Sequence, residues 1–308
     1  MTTQITRSFQ LEAYAKVNLC LSVAYPPKDG FHQLESVFQE LDLHDVLTFT
    51  DTTSTPSSSA AFTSMRTPVE LICPGVSLDP SENLIFKALD GIERACGTPL
   101  VARGQVMRVN VEKRIPAGGG LGGGSSDAAC ALRAYAQMQG LNPLGDAFLS
   151  VGRSLGADVP FFLYGGAALM EGRGDVLVRC LPRFPLPLVL MGDEEGCSTP
   201  AVYRAFDRNP VPAPDARKLA SLMESASPDA GALAHACANN LAPAACAALP
   251  RLKERLEAAK ADSDVLDAHV TGSGSTSFAV CADEKAAERF ASRIAGQCAW
   301  TRIAHAAR

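Results

Sequence analysis

The sequence predicts an α+β protein in two domains, and three observations predict it. Strand-like alternation opens the chain, capped helices occupy its middle, and strand and helix signals alternate again at its end, with no internal repeat. A connection with three prolines, Asn209 to Asp215, interrupts this order, so the boundary is sought between Arg173 and Asp215. It is placed to give domains 1–175 and 176–308, a division that 308 residues can support.

The elements follow in order. From Ala13 to Leu21 the odd positions are all apolar, so Lys16 and Asn18 share the opposite face of a strand. A turn at Pro26 to Gly30 leads to strand signals over Phe31 to Thr50. The Ser/Thr-rich stretch Thr52 to Pro68 reads as a mobile surface loop. Asp79, Pro80 and Glu82 form a capping-box pattern, and Leu84, Ile85, Ala88, Leu89 and Ile92 continue it at helical spacing. Met107, Val109 and Val111 alternate as in a strand. A Gly-rich run precedes a small-residue helix from Ser125 to Gln139, stopped by Gly140. Asp146 to Leu155 reads as another helix, and Phe161 to Met170 and Leu186 to Met191 as buried strands. Beyond Asp215 come Ala-rich helices to Lys260, a strand at Ala268 to Thr271, a Gly-Ser loop and a strand at Ser277 to Cys281. A helix at Asp283 to Ala295 and a strand at Ala299 to Ile303 close the chain.

Composition narrows the function. The chain is 47% hydrophobic and 20% charged with a net charge of -5, an ordinary globular balance whose overall field repels nucleic acid and anionic lipid. The first residues hold no apolar core of a secretory signal, and no apolar run is long enough to span a membrane. The ten cysteines are scattered without a Cys-x-x-Cys, which suits buried, reduced thiols in a cytoplasmic protein and offers no metal cluster. The expected partner is a small molecule, and the expected assembly a monomer or homodimer.

The strongest signal is PAGGGLGGGSSD, Pro116 to Asp127. Six of the seven residues from Gly118 to Gly124 are glycine. Such a run lets backbone N–H groups converge on an anion, and the helix that follows adds unpaired donors and a partial positive charge. Phosphate binding is the chemistry that needs these features. A flexible linker would lack the flanking strand and small-residue helix. A dinucleotide fingerprint is formally present at Gly118, Gly120 and Gly123, but Lys113, Arg114 and Pro116 separate it from the strand. No Gly-Lys-Ser/Thr occurs, so it is not a Walker loop.

The run resembles the ATP-binding motif of the GHMP kinases. The resemblance extends over AYAKVNLCLSV, DGFHQLESVFQELDLHD, SENLI, GADVPFFLYGGAALMEGRGD, STPAVYRAF and VTGSGSTSFAV. Within the family the doubled GGGLGGGSSD is similar to the branch acting on cytidine-diphosphate-linked methylerythritol, in the non-mevalonate route to isoprenoid precursors. The resemblance implies a ribosomal-protein-S5-like N-terminal domain, an α/β C-terminal domain, and ATP with Mg²⁺. It implies that Pro116, Ala117, Gly118, Gly119, Gly120, Leu121, Gly122, Gly123, Gly124, Ser125 and Ser126 hold the nucleotide.

Taken alone, Asp158 would be a turn residue and Lys16 a solvated strand lysine. The resemblance makes Asp158 the catalytic base and Lys16 its electrostatic partner. Gly272, Ser273 and Gly274 match the family's third motif, which closes over phosphate and substrate. His32 matches the residue that reads cytosine, while Phe31 and Tyr203 match the stacking aromatics. The family commonly has Tyr at the position of Phe31, so a contact from the phenol oxygen would be lost here. Asn18 joins the substrate side, with Asn83 and Asn239 as weaker candidates. Another kinase of the same family would not need the aromatic clamp. A binding module that has lost its chemistry would not need both Lys16 and Asp158.

Overall fold

Two 19-residue strands, β1 (Ile5–Val23) and β2 (Leu34–Thr52), set the organisation. The computed structural model describes residues 5–75 and 79–308. The chain packs as two units: Met1–Ala15, His44–Ile115 and Gly123–Tyr164 form the first, and Lys16–Leu43, Pro116–Gly122 and Gly165–Arg308 the second. The units interleave along the sequence because each long strand gives one part of itself to either unit.

Next in chain order come β3 (Ala61–Phe62), β4 (Pro68–Ile72), a 3-10 turn at Pro80–Glu82, α1 (Leu84–Cys96) and β5 (Val106–Glu112). They are followed by α2 (Gly123–Gln139), α3 (Asp146–Leu155) and α4 (Val159–Tyr164). In the first unit β2 runs antiparallel to β5, from Val46 opposite Glu112 to Thr52 opposite Val106. β4 lies parallel to β5, and β3 antiparallel to β4. The four helices pack on one another. α1 buries Ile85, Ala88, Leu89 and Ile92, and α2 buries Ala128, Ala129, Ala131 and Ala134, whose small side chains permit close approach.

The remaining elements are β6 (Ala167–Gly172), β7 (Val176–Leu181), β8 (Leu188–Gly192), α5 (Thr199–Arg208), α6 (Ala216–Met223), α7 (Ala230–Ala236) and β9 (Ala238–Asn239). α8 (Ala242–Ala248), α9 (Pro250–Lys260), β10 (Val265–Val270), β11 (Ser277–Cys281), α10 (Glu284–Ile294) and β12 (Trp300–Ala304) complete the chain. In the second unit Leu34 to Gln39 of β2 pairs antiparallel with β6, and β6 with β7. Cys20 and Leu21 of β1 pair parallel with β9. A separate antiparallel sheet has the order β10-β11-β8-β12. Its Val189, Met191, Val270 and Ala279 form a core with Phe206 of α5 and Phe290 of α10.

The α+β class expected from the sequence is borne out, with four local corrections. The strand expected at Phe161 to Met170 is α4, then Gly165 and Gly166 at φ +74° and +69°, then β6. A short apolar run suits a buried helix as well as a strand, and here two glycines divide it. α1 starts at Leu84 rather than Pro80. Asp79 accepts from Ser81 N at 2.8 Å and caps only the 3-10 turn, while Asn83 Oδ1 caps α1 through Ile85 N at 2.9 Å. The stretch expected as one loop, Thr52 to Pro68, carries β3, and Thr63 and Thr67 are bonded to one another through Thr63 N and Thr67 O at 3.0 Å. All ten cysteines are free, but only Cys20, Cys130, Cys237 and Cys281 are buried; five are half-buried and Cys180 is exposed. No described helix is long and apolar enough to cross a membrane.

Candidate active site

In the second unit, Lys16 and Asn18 occupy the face of β1 that alternation assigned to polar residues, yet each is only 3% exposed. A buried lysine and amide need partners, because an unsatisfied polar group inside costs about 1–3 kcal/mol. Lys16 Nζ donates to Asn18 Oδ1 at 2.8 Å and lies 5.2 Å from the Phe38 ring centroid. Asn18 Nδ2 donates to Ser36 Oγ at 2.9 Å, and Ser36 Oγ to Cys20 O at 2.7 Å. The backbone N–H of Asn18 donates to Thr271 Oγ1 at 2.9 Å. This chain of bonds fixes the ammonium and ties β1 to the loop after β10.

The same unit brings the first part of the Gly-rich run to both segments. Lys16 N donates to Leu121 O at 2.9 Å, and Thr276 N to Gly119 O at 3.3 Å. A side chain at Gly119 would overlap the Thr276 hydroxyl, and one at Gly120, where φ is +79°, would meet Thr271 O at 3.1 Å. Glycine is therefore required at both positions by close approach. Gly272, Ser273 and Gly274 join this assembly. Gly274 N donates to Thr271 O at 3.0 Å, and the Ser273 and Thr199 hydroxyls lie 2.8 Å apart.

One residue that holds this loop, Arg255, was not singled out by sequence. Arg255 is 9% exposed at its side chain and donates to Ser275 O at 2.6 Å, Ser277 Oγ at 2.9 Å and Asp193 Oδ2 at 2.7 Å. Asn239 donates to Gly272 O at 2.7 Å and Val270 O at 2.9 Å, so its amide positions the loop. Asn83 is likewise engaged, as the cap of α1.

In the aromatic group of this unit, His32 Nδ1 lies 2.8 Å from Ala24 O and Nε2 3.0 Å from Asp207 Oδ1. Its ring is 5.2 Å from Tyr203 and 5.8 Å from Phe206. Phe31 is 55% exposed, with the Arg173 guanidinium 5.2 Å from its ring centroid. His32 and Tyr203 are thus together, and Phe31 presents an open face. A cavity of about 1010 Å³ elsewhere in the unit is lined by Asp193, Glu195, Arg251, Arg255, Asp262 and Arg293. Its charges pair among themselves, and it holds none of the expected site residues.

The first unit holds the rest. Gly123, Gly124, Ser125 and Ser126 are the first four residues of α2, two residues earlier than the helix start read from the sequence. Asp158 is half-buried in the turn directly before α4. Ser126 Oγ and Asp127 Oδ1 are buried without a hydrogen-bond partner. Asp127 Oδ2 accepts from Lys113 Nζ at 2.7 Å, and Lys113 also bonds Asp45. Burial pushes the Asp127 carboxyl up to about 7; Lys113 pulls it back and Asp45 adds to the rise. Burial pulls the Lys113 ammonium down, but the two carboxylates outweigh it and hold it above the usual lysine value. The N–H groups at the start of α2 and the unpartnered Ser126 hydroxyl are donors of the kind that suit a polyphosphate anion.

Comparison with known proteins agrees with this reading. The family description "GHMP kinases N terminal domain" matches residues 83–166, and "GHMP kinases C terminal" matches residues 218–299. The chain is 36% identical over 286 residues to a 4-diphosphocytidyl-2-C-methyl-D-erythritol kinase of Pelotomaculum thermopropionicum, covering 91% of this chain and 92% of the relative. A solved structure of 4-(cytidine 5'-diphospho)-2C-methyl-D-erythritol kinase superposes with a TM-score of 0.72 at 30% identity, over 97% of this chain and 100% of that one. A homoserine kinase from Cytophaga hutchinsonii shares the fold, with a TM-score of 0.68 at 19% identity over 99% and 96% of the two chains. Relatives this similar over nine-tenths of the length establish the family: the chain belongs to the GHMP kinases, in the branch of the 4-diphosphocytidyl-2-C-methyl-D-erythritol kinases.

Proposed function

We propose that the chain transfers the γ-phosphoryl group of ATP to the 2-hydroxyl of 4-diphosphocytidyl-2-C-methyl-D-erythritol, giving ADP and the 2-phosphate. The observation that carries this reading is the bonding of three motifs in one unit: Lys16 N to Leu121 O, Thr276 N to Gly119 O, and Asn18 N to Thr271 Oγ1. ATP enters as its Mg²⁺ complex. The backbone of residues 116–124 and the start of α2 at Ser125 and Ser126 cradle its phosphates.

Phosphoryl transfer asks for positioning and charge neutralisation more than covalent help. Asp158 takes the proton of the acceptor hydroxyl. Lys16, oriented by Asn18, supplies positive charge as the transferred group moves. Gly272, Ser273 and Gly274 close over phosphate and substrate. Tyr203 and the open face of Phe31 stack on the cytosine, and His32 reads its edge. Residues 1–175 serve the nucleotide and 176–308 complete the substrate side; the two family matches, one on each side of this boundary, support that division. The enzyme works in the cytoplasm, as a monomer or homodimer.

The test is ADP release from MgATP with 4-diphosphocytidyl-methylerythritol, beside homoserine and mevalonate. The expected result is turnover of the cytidyl substrate alone. Turnover of a competitor would remove the aromatic clamp, and no turnover with any acceptor would remove the kinase reading.

A further inference from the structure

The residues that enter and leave the Gly-rich run meet in one part-buried ion triad of the first unit. Asp45, on β2, is fully buried. Its Oδ1 accepts from Arg114 N at 2.5 Å and Ile115 N at 2.8 Å, the two backbone donors just before the run, and its Oδ2 accepts from Lys113. Lys113 reaches on to Asp127, the fifth residue of α2, just after the run. A side chain on Gly123 would stand 3.6 Å from Lys113 Nζ. One lysine thus links the approach to the run with the helix that follows it.

The two carboxyls are not equivalent. Both oxygens of Asp45 are occupied by donors. Asp127 has one oxygen on Lys113 and the other buried with no partner, so a proton has a place to sit there. The other titratable groups facing Asp127 are Cys73, in the segment after β4, and Cys130, further along α2. Both thiols are pushed up by burial and stay neutral near pH 7, and Arg114 faces Asp45. With Asp45 and Asp127 ionised and Lys113 charged, the triad carries one net negative charge. With Asp127 protonated it carries none.

We propose that Asp127 is a positioning residue that takes up a proton from solvent when nucleotide polyphosphate binds the Gly-rich run, so that the triad at the start of α2 becomes neutral. The inference rests on the reading of that run as the ATP loop. Thermodynamic linkage makes it reciprocal: nucleotide favours protonated Asp127, and rising pH weakens nucleotide binding.

The test is calorimetric titration with the Mg²⁺ complex of a non-hydrolysable ATP analogue, in buffers of different ionisation heat, for the wild type and Asp127→Asn. The wild type should take up more proton per nucleotide than the variant. Its affinity should also fall more steeply above pH 7, by up to about tenfold per pH unit, the limit for one proton. Equal proton counts and parallel pH curves would overturn the proposal. Absence of nucleotide binding by the wild type would sink the ATP-loop reading, and this inference with it. Infrared difference spectra of the wild type at pH 8 need no variant. A protonated-carboxyl band that grows on adding nucleotide supports the proposal, and its absence overturns it.

Discussion

Two lysines, Lys16 buried and Lys113 half-buried, stand in two different kinds of surroundings. Lys16, in the second unit, donates to an amide that continues into the hydroxyl of Ser36. Lys113, in the first, bridges two carboxylates, one of which keeps an unpartnered oxygen. The Asn18 amide, held in turn by the Ser36 hydroxyl, orients the Lys16 ammonium, which suits a group that must stabilise charge during transfer. The carboxylates around Lys113 cancel its charge, which suits a structural tie between β2, the approach to the Gly-rich run and α2. The first lysine is oriented by an amide, and the second ties two carboxylates of the fold together.

The largest expected effect comes from the proposed base. Asp158→Asn should lower turnover by about 10³-fold or more while nucleotide binding persists, checked by ADP release and nucleotide titration. Wild-type turnover would remove Asp158 from the mechanism and leave the Lys16 network without a base to serve.

A smaller effect probes the contact between the run and the loop after β10. Gly119→Ala should destabilise the fold by about 1–3 kcal/mol and raise the KM for ATP, because the new methyl overlaps the Thr276 hydroxyl. Adding Thr276→Ser, which keeps the hydroxyl, should restore less than Thr276→Ala. Equal rescue in denaturant unfolding would show that the hydroxyl is not the obstacle.

The smallest effect sharpens the electrostatic contrast. A carboxyl raised in the folded state gives stability that is fully present below its unfolded value near 4 and is lost as pH rises to about 7. Asp127→Asn removes this dependence. The melting temperature of the variant relative to the wild type should therefore rise by a few degrees between pH 4 and 7, then level off. A constant difference across that range would mean that Asp127 is ionised throughout.

Motifs were legible in the sequence, and their partners were not. Glycine content, the helix after it and the alternation of β1 located the Gly-rich run, Lys16 and Asn18. Thr271, which holds Asn18, is 253 residues away, and no local pattern announces such a contact. Lys113 stood next to the run and Asp127 inside the quoted motif. Their pairing needed Asp45, 68 residues before Lys113, to become visible. The Phe161 to Met170 segment failed for a different reason. Hydrophobicity reports burial, and both α4 and β6 are buried, so only the positive φ of Gly165 and Gly166 separates helix from strand.

The division of labour between the two lysines is tested most directly by measuring kcat and the KM for ATP in Lys16→Met and Lys113→Met, with the unfolding free energy of each. Lys16→Met should lose about 10²–10⁴ in kcat with a modest change in KM. Lys113→Met leaves two buried carboxylates facing one another, so it should lose about 3–5 kcal/mol of stability and raise KM more than it lowers kcat. A Lys113 variant that loses kcat with stability and KM intact, beside a Lys16 variant that keeps kcat, would contradict the account.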